Sequence, residues 1–458
     1  MKNVAKRIHG TLLVALAVLS PAAARAQQHF PSNEDLTVML RYLVEDGETP
    51  GIVLGVLEAD GTRRIVSYGS GGPNARPLGP RSVFEIGSIT KTFTATLLAD
   101  MAARGQVSLT DPVAKHLPAT VTVPSRGGRE ITLLDLATHH SGLPRMPDNF
   151  TPRNPRNPYS DYSVDQLYAF LGSHQLRRDP GAEYEYSNVG VGLLGHVLGR
   201  AGGASVQELI AARILRPLGM RLTGFDITGE LAQWNTAGHD TTGSVAPYWD
   251  VTTLAGAGGL RSNAEDMLTY IQANLGPPDN DLERAMRATH EVRKMMNLRS
   301  GIGLNWSVNK EAGRTLISHG GGTAGYRTMV AFDPEKRVGF VMLANSGGFD
   351  DDIGMDFLRR GLPLAIPEVE PSKEVLAAYA GEYEVAPGRT AVVKLENEGW
   401  LTVRVPGNVR FRMYAESNDK FFLKRTPWRF TFNKDASGAV TGFTVNMGGV
   451  DRQARKVK

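Results

Sequence analysis

Cysteine is absent from this 458-residue chain. That absence removes disulfide frameworks, thiolate nucleophiles, Cys-ligated zinc and iron–sulfur clusters from consideration. The pattern H-E-x-x-H is missing as well, and so is G-x-S-x-G, which excludes a zincin helix and an α/β-hydrolase elbow. No repeat or low-complexity tract is found. A surplus of one charge is also lacking, with 51 Lys and Arg against 47 Asp and Glu. Residues 1–26 hold four basic and no acidic residues, which is the whole formal charge of +4. The rest of the chain is balanced, so nothing argues for a nucleic-acid partner. Within that balance, residues 27–370 carry 32 basic and 38 acidic side chains, and residues 371–458 carry 15 and 9. This opposition could favour docking between the two parts, or contact with anionic cell-wall polymers.

What is present begins with Lys2, Lys6 and Arg7 ahead of an apolar run, Thr11 to Leu19, followed by Ala24-Arg25-Ala26. The run is too short to span a bilayer core, which needs about 20 residues. Residues 1–26 read as a secretory signal with an A-x-A cleavage site and a mature start near Gln27. The expectation is a periplasmic or secreted protein with no stable membrane anchor. In an oxidising compartment without disulfides, its stability must come from core packing.

Hydrophobic residues at 41% and charged residues at 21% describe an ordinary globular protein. Asn33 to Glu45 reads as an amphipathic helix. Gly51 to Gly69 reads as a hairpin turning at Asp60-Gly61. Helical spacing returns at Thr92 to Ala103, with Phe93, Leu97, Leu98 and Met101 three and four residues apart. Leu133 to His140 reads as another helix. Ser163 to Gln166, Ser205 to Glu208 and Ser262 to Glu265 each match a capping box. Strand patterns follow at Leu304 to Val308, Arg314 to Ile317, Thr328 to Asp333 and Arg337 to Asn345, then a helix-like Asp351 to Arg360. Strands at both ends of a helical middle predict an α+β fold, an antiparallel sheet flanked by helices with a helical subdomain inserted. That domain spans 27–362, and a proline-bearing linker covers 363–370. Residues 371–458 alternate with period two between turn signals, which predicts a small all-β barrel. That segment has no histidine.

The leading chemical candidate is Ser88-Ile-Thr-Lys91. The S-x-x-K pattern occurs three times, and local geometry separates the copies. Positions i and i+3 share a helix face, so the Ser88 hydroxyl and the Lys91 amine can meet. Lys310 follows a strand, where Ser307 and Lys310 point to opposite faces. The Ser417 copy lies in a turn of the tail. At a helix start Ser88 also gains free N–H groups for developing negative charge. Lys91 accepts a proton only when neutral, and burial near Phe84, Ile86 and Phe93 could lower its pKa by the ~3 units required. A capping Ser beside a surface Lys is the commoner fate of such a pair.

Tyr186-Ser-Asn188 follows Pro180-Gly181 and precedes an apolar run. Tyr186 could shuttle protons to a leaving group, and Asn188 could hold Lys91 or a substrate amide. His319-Gly320-Gly321-Gly322 ends a strand. The stretch Gly320 to Gly325 matches G-x-G-x-x-G, yet the next segment reads as a strand, so the dinucleotide reading fails. Bare glycines instead let an extended substrate lie against the backbone, and Gly322 could pair with Ser88 in an oxyanion hole. His139 and His140 are adjacent, cannot chelate one metal from a helix, and are expected to pack, as is His196. No metal or cofactor is expected.

Taken in this order, the three motifs resemble the serine β-lactamase and penicillin-binding-protein family, in its class C branch with D,D-peptidases and β-lactamase-like esterases. Leu133 to Pro144, Arg216 to Met220, Ala257 to Ser262 and Leu343 to Asn345 add to the resemblance. It implies Ser88 as acylated nucleophile, Lys91 as its activating partner and Tyr186 as general base and acid. Asn188 and His319 to Gly322 would bind substrate. The tail resembles the barrel appended to many such hydrolases.

One departure matters. Members committed to β-lactams usually carry Lys-Thr-Gly where this chain has His319-Gly320-Gly321. A histidine near pKa 6.5 is mostly neutral at pH 7, so carboxylate recognition should weaken unless Arg327 substitutes. The expected function is a serine hydrolase acting through a Ser88 acyl-enzyme on D-Ala-D-Ala-like peptides, β-lactams or both, with a small-molecule or peptide substrate. Two alternatives stay open, a carboxylesterase or small-amide hydrolase on the same machinery, and a penicillin-binding sensor that acylates without turnover.

Overall fold

The computed structural model describes residues 28–45, 47–298, 300–311, 313–349, 354, 357–358, 369–397, 399–405, 410–423, 428–447 and 450–458. The signal segment 1–26, nearly all of the helix-like Asp351 to Arg360, and the linker apart from Val369 and Glu370 lie outside these residues. Among the described residues no helix is long and apolar enough to cross a membrane.

Helix α1 (Asn33–Glu45) precedes the hairpin of β1 (Gly51–Leu57) and β2 (Arg63–Gly69), as their patterns predict. Six later strands complete one antiparallel sheet: β3 (Lys294–Met295), β4 (Ser300–Ile302), β5 (Ser307–Glu311), β6 (Arg314–Gly322), β7 (Arg327–Asp333) and β8 (Val338–Ala344). Their order is β2-β1-β8-β7-β6-β5-β4-β3. The hairpin thus joins the later strands through the β1–β8 pair, with Ile52 opposite Ala344. Everything between β2 and β3 is the inserted, mainly helical region.

The central strands are apolar on both sides because both sheet faces are covered. Ile52, Leu54, Val56, Phe340 and Met342 pack with Leu36, Met39 and Leu40 of α1. The alternate residues Val53, Leu57, Val330, Phe332, Val341 and Leu343 pack with the inserted helices. Strands buried on both faces read as continuous hydrophobic runs.

At the centre of the insertion lies α2 (Thr90–Ala103), buried at every position from Thr90 to Met101. The sequence pattern implies a one-sided helix, but this one is enclosed all round. Its threonines tolerate burial because their hydroxyls bond to backbone: Thr92 to the Ile89 carbonyl, Thr94 to Gly256 and Thr96 to Thr92.

Several local expectations are corrected. The helix beginning at Leu133 ends at Ala137, and His139 has a φ of 59°. Its N-terminus carries a capping box, Thr132 with Asp135, that the sequence pattern did not single out. The boxes at Ser163 and Ser205 form as expected. The one at Ser262 does not, because Ser262 pairs in a short strand with Phe84. Asn263 caps instead, accepting from the Asp266 N–H at 3.0 Å. Such a cap contributes about 1 kcal/mol. The strand expected at Leu304 to Val308 starts only at Ser307, since Asn305 takes φ 57° and breaks the extended run.

The tail forms a closed barrel of eight antiparallel strands. They are β9 (Gly381–Ala386), β10 (Arg389–Leu395), β11 (Leu401–Arg404), β12 (Arg410–Ala415), β13 (Lys420–Phe422), β14 (Trp428–Lys434), β15 (Val440–Met447) and β16 (Asp451–Lys456). The alternating segments Ala391 to Leu395, Trp400 to Val405, Arg410 to Met413, Lys420 to Lys424, Arg429 to Phe432 and Gly442 to Asn446 correspond to β10 to β15, with Lys424 outside the described residues. Strands β9 and β16, and the helix Lys373–Tyr379 before them, are additions to the sequence reading.

Candidate active site

Ser88 sits in a 3-10 turn, Gly87–Ile89, that feeds straight into α2. Lys91 therefore lies one turn along on the same face. Its Nζ donates to Ser88 Oγ at 2.8 Å and to the Ala257 carbonyl at 2.6 Å. The amine is fully enclosed, and burial drives its pKa well below the ordinary lysine value, with the Arg145 charge adding to the same direction. A lysine in this state can take the serine proton. The surface-lysine alternative fails because Lys91 is fully buried.

The turn carrying Ser88 is clamped against the end of β6. Gly87 has φ 49°, and a Cβ there would stand 2.7 Å from the Gly322 nitrogen. A Cβ on Gly321 would stand 2.0 Å from the Ile86 carbonyl oxygen. Side chains at either position would push the two backbones apart, so the glycine run permits this approach. Thr328 on β7 secures it, donating to the Ile86 carbonyl at 3.1 Å.

Tyr186 reaches the same cleft from the loop that Ser187 caps into a second helix, α3 (Asn188–Gly202). The Lys91 amine stands 5.0 Å from the centre of the Tyr186 ring, and the Arg145 guanidinium 5.2 Å. Burial raises the phenol to about 12, against the opposing pull of the Ser88 hydroxyl and Arg145. Tyr186 is therefore neutral in the resting site. His319 is driven down to about 4 by burial and the nearby Lys91 amine, and its Nδ1 lies 2.6 Å from the Gly320 carbonyl oxygen. It carries no charge at neutral pH.

Ser88, Tyr186, His319 and Gly320 to Gly322 line one cleft of about 640 Å³. Asn188 lines an adjoining one with Ser88. Its amide donates to the Met146 sulfur at 3.6 Å, whereas the Lys91 amine is engaged by Ser88 and Ala257. The expected Asn188–Lys91 contact is not formed.

Sequence reasoning missed three contributors. His139, expected merely to pack, lines the cleft. Its ring stacks on Tyr186 at 4.4 Å, and its Nδ1 accepts from the Ser187 N–H at 3.1 Å. Arg145 is an exposed cation on the cleft wall, and its carbonyl also anchors the Asn188 N–H at 2.9 Å. Asn305 is buried against the cleft with neither side-chain polar atom partnered. A lone Arg after Pro144 and an Asn before Trp306 carry no pattern that would have singled them out. His196 does pack, 2.7 Å from the Tyr168 hydroxyl. Among the described residues no cluster of His, Asp and Glu could hold a metal.

Residues 37–362 match the family model described as Beta-lactamase, and residues 366–456 match a domain of unknown function, DUF3471. The D-alanyl-D-alanine-carboxypeptidase/endopeptidase AmpH of Escherichia coli K12 is 29% identical over 305 residues, 63% of this chain and 78% of that protein. A beta-lactamase of the same organism is 28% identical over 371 residues, 73% of this chain and 94% of that one. Among solved structures, the beta-lactamase/D-alanine carboxypeptidase of Yersinia pestis superposes with a TM-score of 0.62 at 27% identity, covering 71% of this chain and 99% of its own. A class C beta lactamase of Rhodobacter sphaeroides gives 0.58 at 27% identity, over 69% and 95%.

Proposed function

From the premise that this chain belongs to the Beta-lactamase family and is a serine hydrolase, we propose that it cleaves D-Ala-D-Ala-like peptides through an acyl-enzyme on Ser88. The observation that carries the reading is the 2.8 Å bond between Ser88 Oγ and the enclosed Lys91 amine, at a cleft lined, among the described residues, by two arginines and no carboxylate. Neutral Lys91 takes the hydroxyl proton as Ser88 Oγ bonds to the scissile carbonyl carbon. The Ser88 and Gly322 N–H groups hold the oxyanion. Tyr186, still protonated, gives its proton to the leaving amine and is reprotonated by Lys91. Water then releases the acyl group by the reverse relay. Lys91 and Tyr186 exchange one proton and titrate as a pair.

Arg327 supplies the cation that His319 does not. Its guanidinium lies over Gly322, donates to the Thr323 carbonyl at 2.9 Å and lines the cleft. A kinetic panel of a D-Ala-D-Ala peptide, nitrocefin and p-nitrophenyl esters tests the assignment. Release of D-Ala at a kcat/KM at least tenfold above the esters is expected, and amidation of the terminal carboxylate should remove that advantage. The neutral His319 favours an ester-cleaving reading instead, and turnover of esters alone would establish it.

Arg145 gives a second test. Its charge holds down the pKa of both Lys91 and Tyr186. Removing it raises both, so Arg145→Gln should move the acid and alkaline limbs of the kcat/KM profile to higher pH together. Arg145→Lys should restore them. A profile unmoved in Arg145→Gln would remove this residue from the mechanism.

Export to the periplasm rests on the N-terminal pattern of residues 1–26, and cell-wall contact on the basic balance of residues 371–458.

A further inference from the structure

The barrel holds a second cavity that the hydrolytic chemistry does not use. One end of the barrel is packed solid. Tyr379 stacks on Phe432 at 4.1 Å, edges onto Phe421, and accepts at its carbonyl from the Tyr383 hydroxyl at 2.6 Å. Towards the other end lies a cavity of about 260 Å³, floored by Phe430, Phe443 and Val445 and walled by Val405, Trp428 and Met447. An eight-stranded barrel is just wide enough either to be filled by side chains or to hold one small ligand. This barrel does both, one at each end.

Two cations line that cavity, Arg389 and Arg452. Residues paired across antiparallel strands share a sheet face. Arg452 is opposite Val445, and Ala454 opposite Phe443, so Arg452 belongs to the inward row with the buried apolar side chains. Arg389 shares its parity with the buried Ala391 and Val393. Both arginines are exposed while the floor beneath them is buried, which places charge at the rim and hydrocarbon below. Among the described residues the remaining polar lining residue is Gln453, and no carboxylate lines the cavity. Its charge and polarity therefore match one ligand chemistry, an apolar chain ending in an anion.

We propose that the barrel binds a single-chain anionic amphiphile, its chain on Phe430, Phe443 and Val445 and its headgroup at Arg452. At roughly 30 Å³ per water-sized heavy atom, the cavity suits about nine such atoms and is too small for a two-chain lipid. The site is independent of Ser88 and of the peptidase reading.

Decanoate below its aggregation concentration is the probe, titrated calorimetrically into the purified protein, with decylamine of equal chain length as the comparison. One decanoate per chain is expected, bound at least tenfold more tightly than decylamine. Val445→Trp, which fills the floor, should abolish binding, and Arg452→Glu should weaken decanoate at least tenfold while bringing decylamine level with it or ahead. Arg452 is a rim residue, so that variant keeps the test sharp if Val445→Trp disturbs folding, as judged by circular dichroism. Absence of decanoate binding, equal affinity for the two probes, or decanoate binding unchanged in Arg452→Glu would overturn the proposal.

Discussion

Turnover is expected to fall by about 10⁴- to 10⁶-fold when Ser88 becomes alanine, the scale seen when a hydrolase loses its nucleophile. The substitution removes only the Oγ that accepts from Lys91 at 2.8 Å. The turn around it keeps its supports, Thr90 donating to the Gly87 carbonyl at 2.6 Å and Thr328 to Ile86. The loss should therefore fall on kcat with the fold intact. Incubation with penicillin followed by intact-protein mass measurement gives an independent readout. The parent protein should gain a covalent adduct and the Ser88→Ala variant none. If the adduct persists in the parent without recovery of native mass, deacylation is slow and the protein works as a sensor. Ser417→Ala, in the S-x-x-K copy of the barrel, is expected to leave turnover unchanged. Full activity in Ser88→Ala would overturn the assignment.

Lys91→Met is the second large effect, with kcat lowered about 10²- to 10⁴-fold, the usual contribution of a positioned general base. Methionine keeps an unbranched apolar stem, one atom shorter, but leaves the Ala257 carbonyl without its donor, a loss of about 1–3 kcal/mol. The pH dependence of stability separates this role from a merely structural one. The folded-state pKa of Lys91 lies well below its unfolded value of about 10.4. Between those two values the unfolded chain binds a proton that the folded one does not, so stability rises with pH across that window. Tyr186 acts oppositely only above about pH 10, where its unfolded form ionises while the folded phenol, near 12, does not. Thermal melts below pH 9 should show a rise with pH in the parent protein that Lys91→Met flattens. An equal slope in both would mean that Lys91 is not held neutral.

The fold was legible wherever one periodicity dominated. The alternation of Val53 and Leu57 against Ile52, Leu54 and Val56 reflects two covered sheet faces, and the tail's period of two becomes a closed barrel. Boundaries were less legible where one residue's conformation ended an element. His139 and Asn305 both adopt left-handed backbone, cutting short a helix and delaying a strand. Asn263 displaced Ser262 as a cap because Ser262 was already committed to a strand. None of these outcomes follows from local propensity, since each depends on a partner far along the chain.

The candidate site divides along the same line. Ser88 and Lys91 were readable because their relation is local: three residues on a helix fix which side chains meet. The glycines of His319 to Gly322 were readable as a strand that something approaches, but only the folded chain shows that Ile86 and Gly87 are what approach them. Lys91's lowered pKa, Arg145's charge over Tyr186, the stacking of His139 and the unpartnered amide of Asn305 are properties of enclosure and of distance through space. Sequence by itself determined which groups can react, because reactivity is carried by residue type and short-range spacing. Tertiary structure decided their protonation and their neighbours, because desolvation and Coulomb interactions depend on what the rest of the chain brings within a few ångströms.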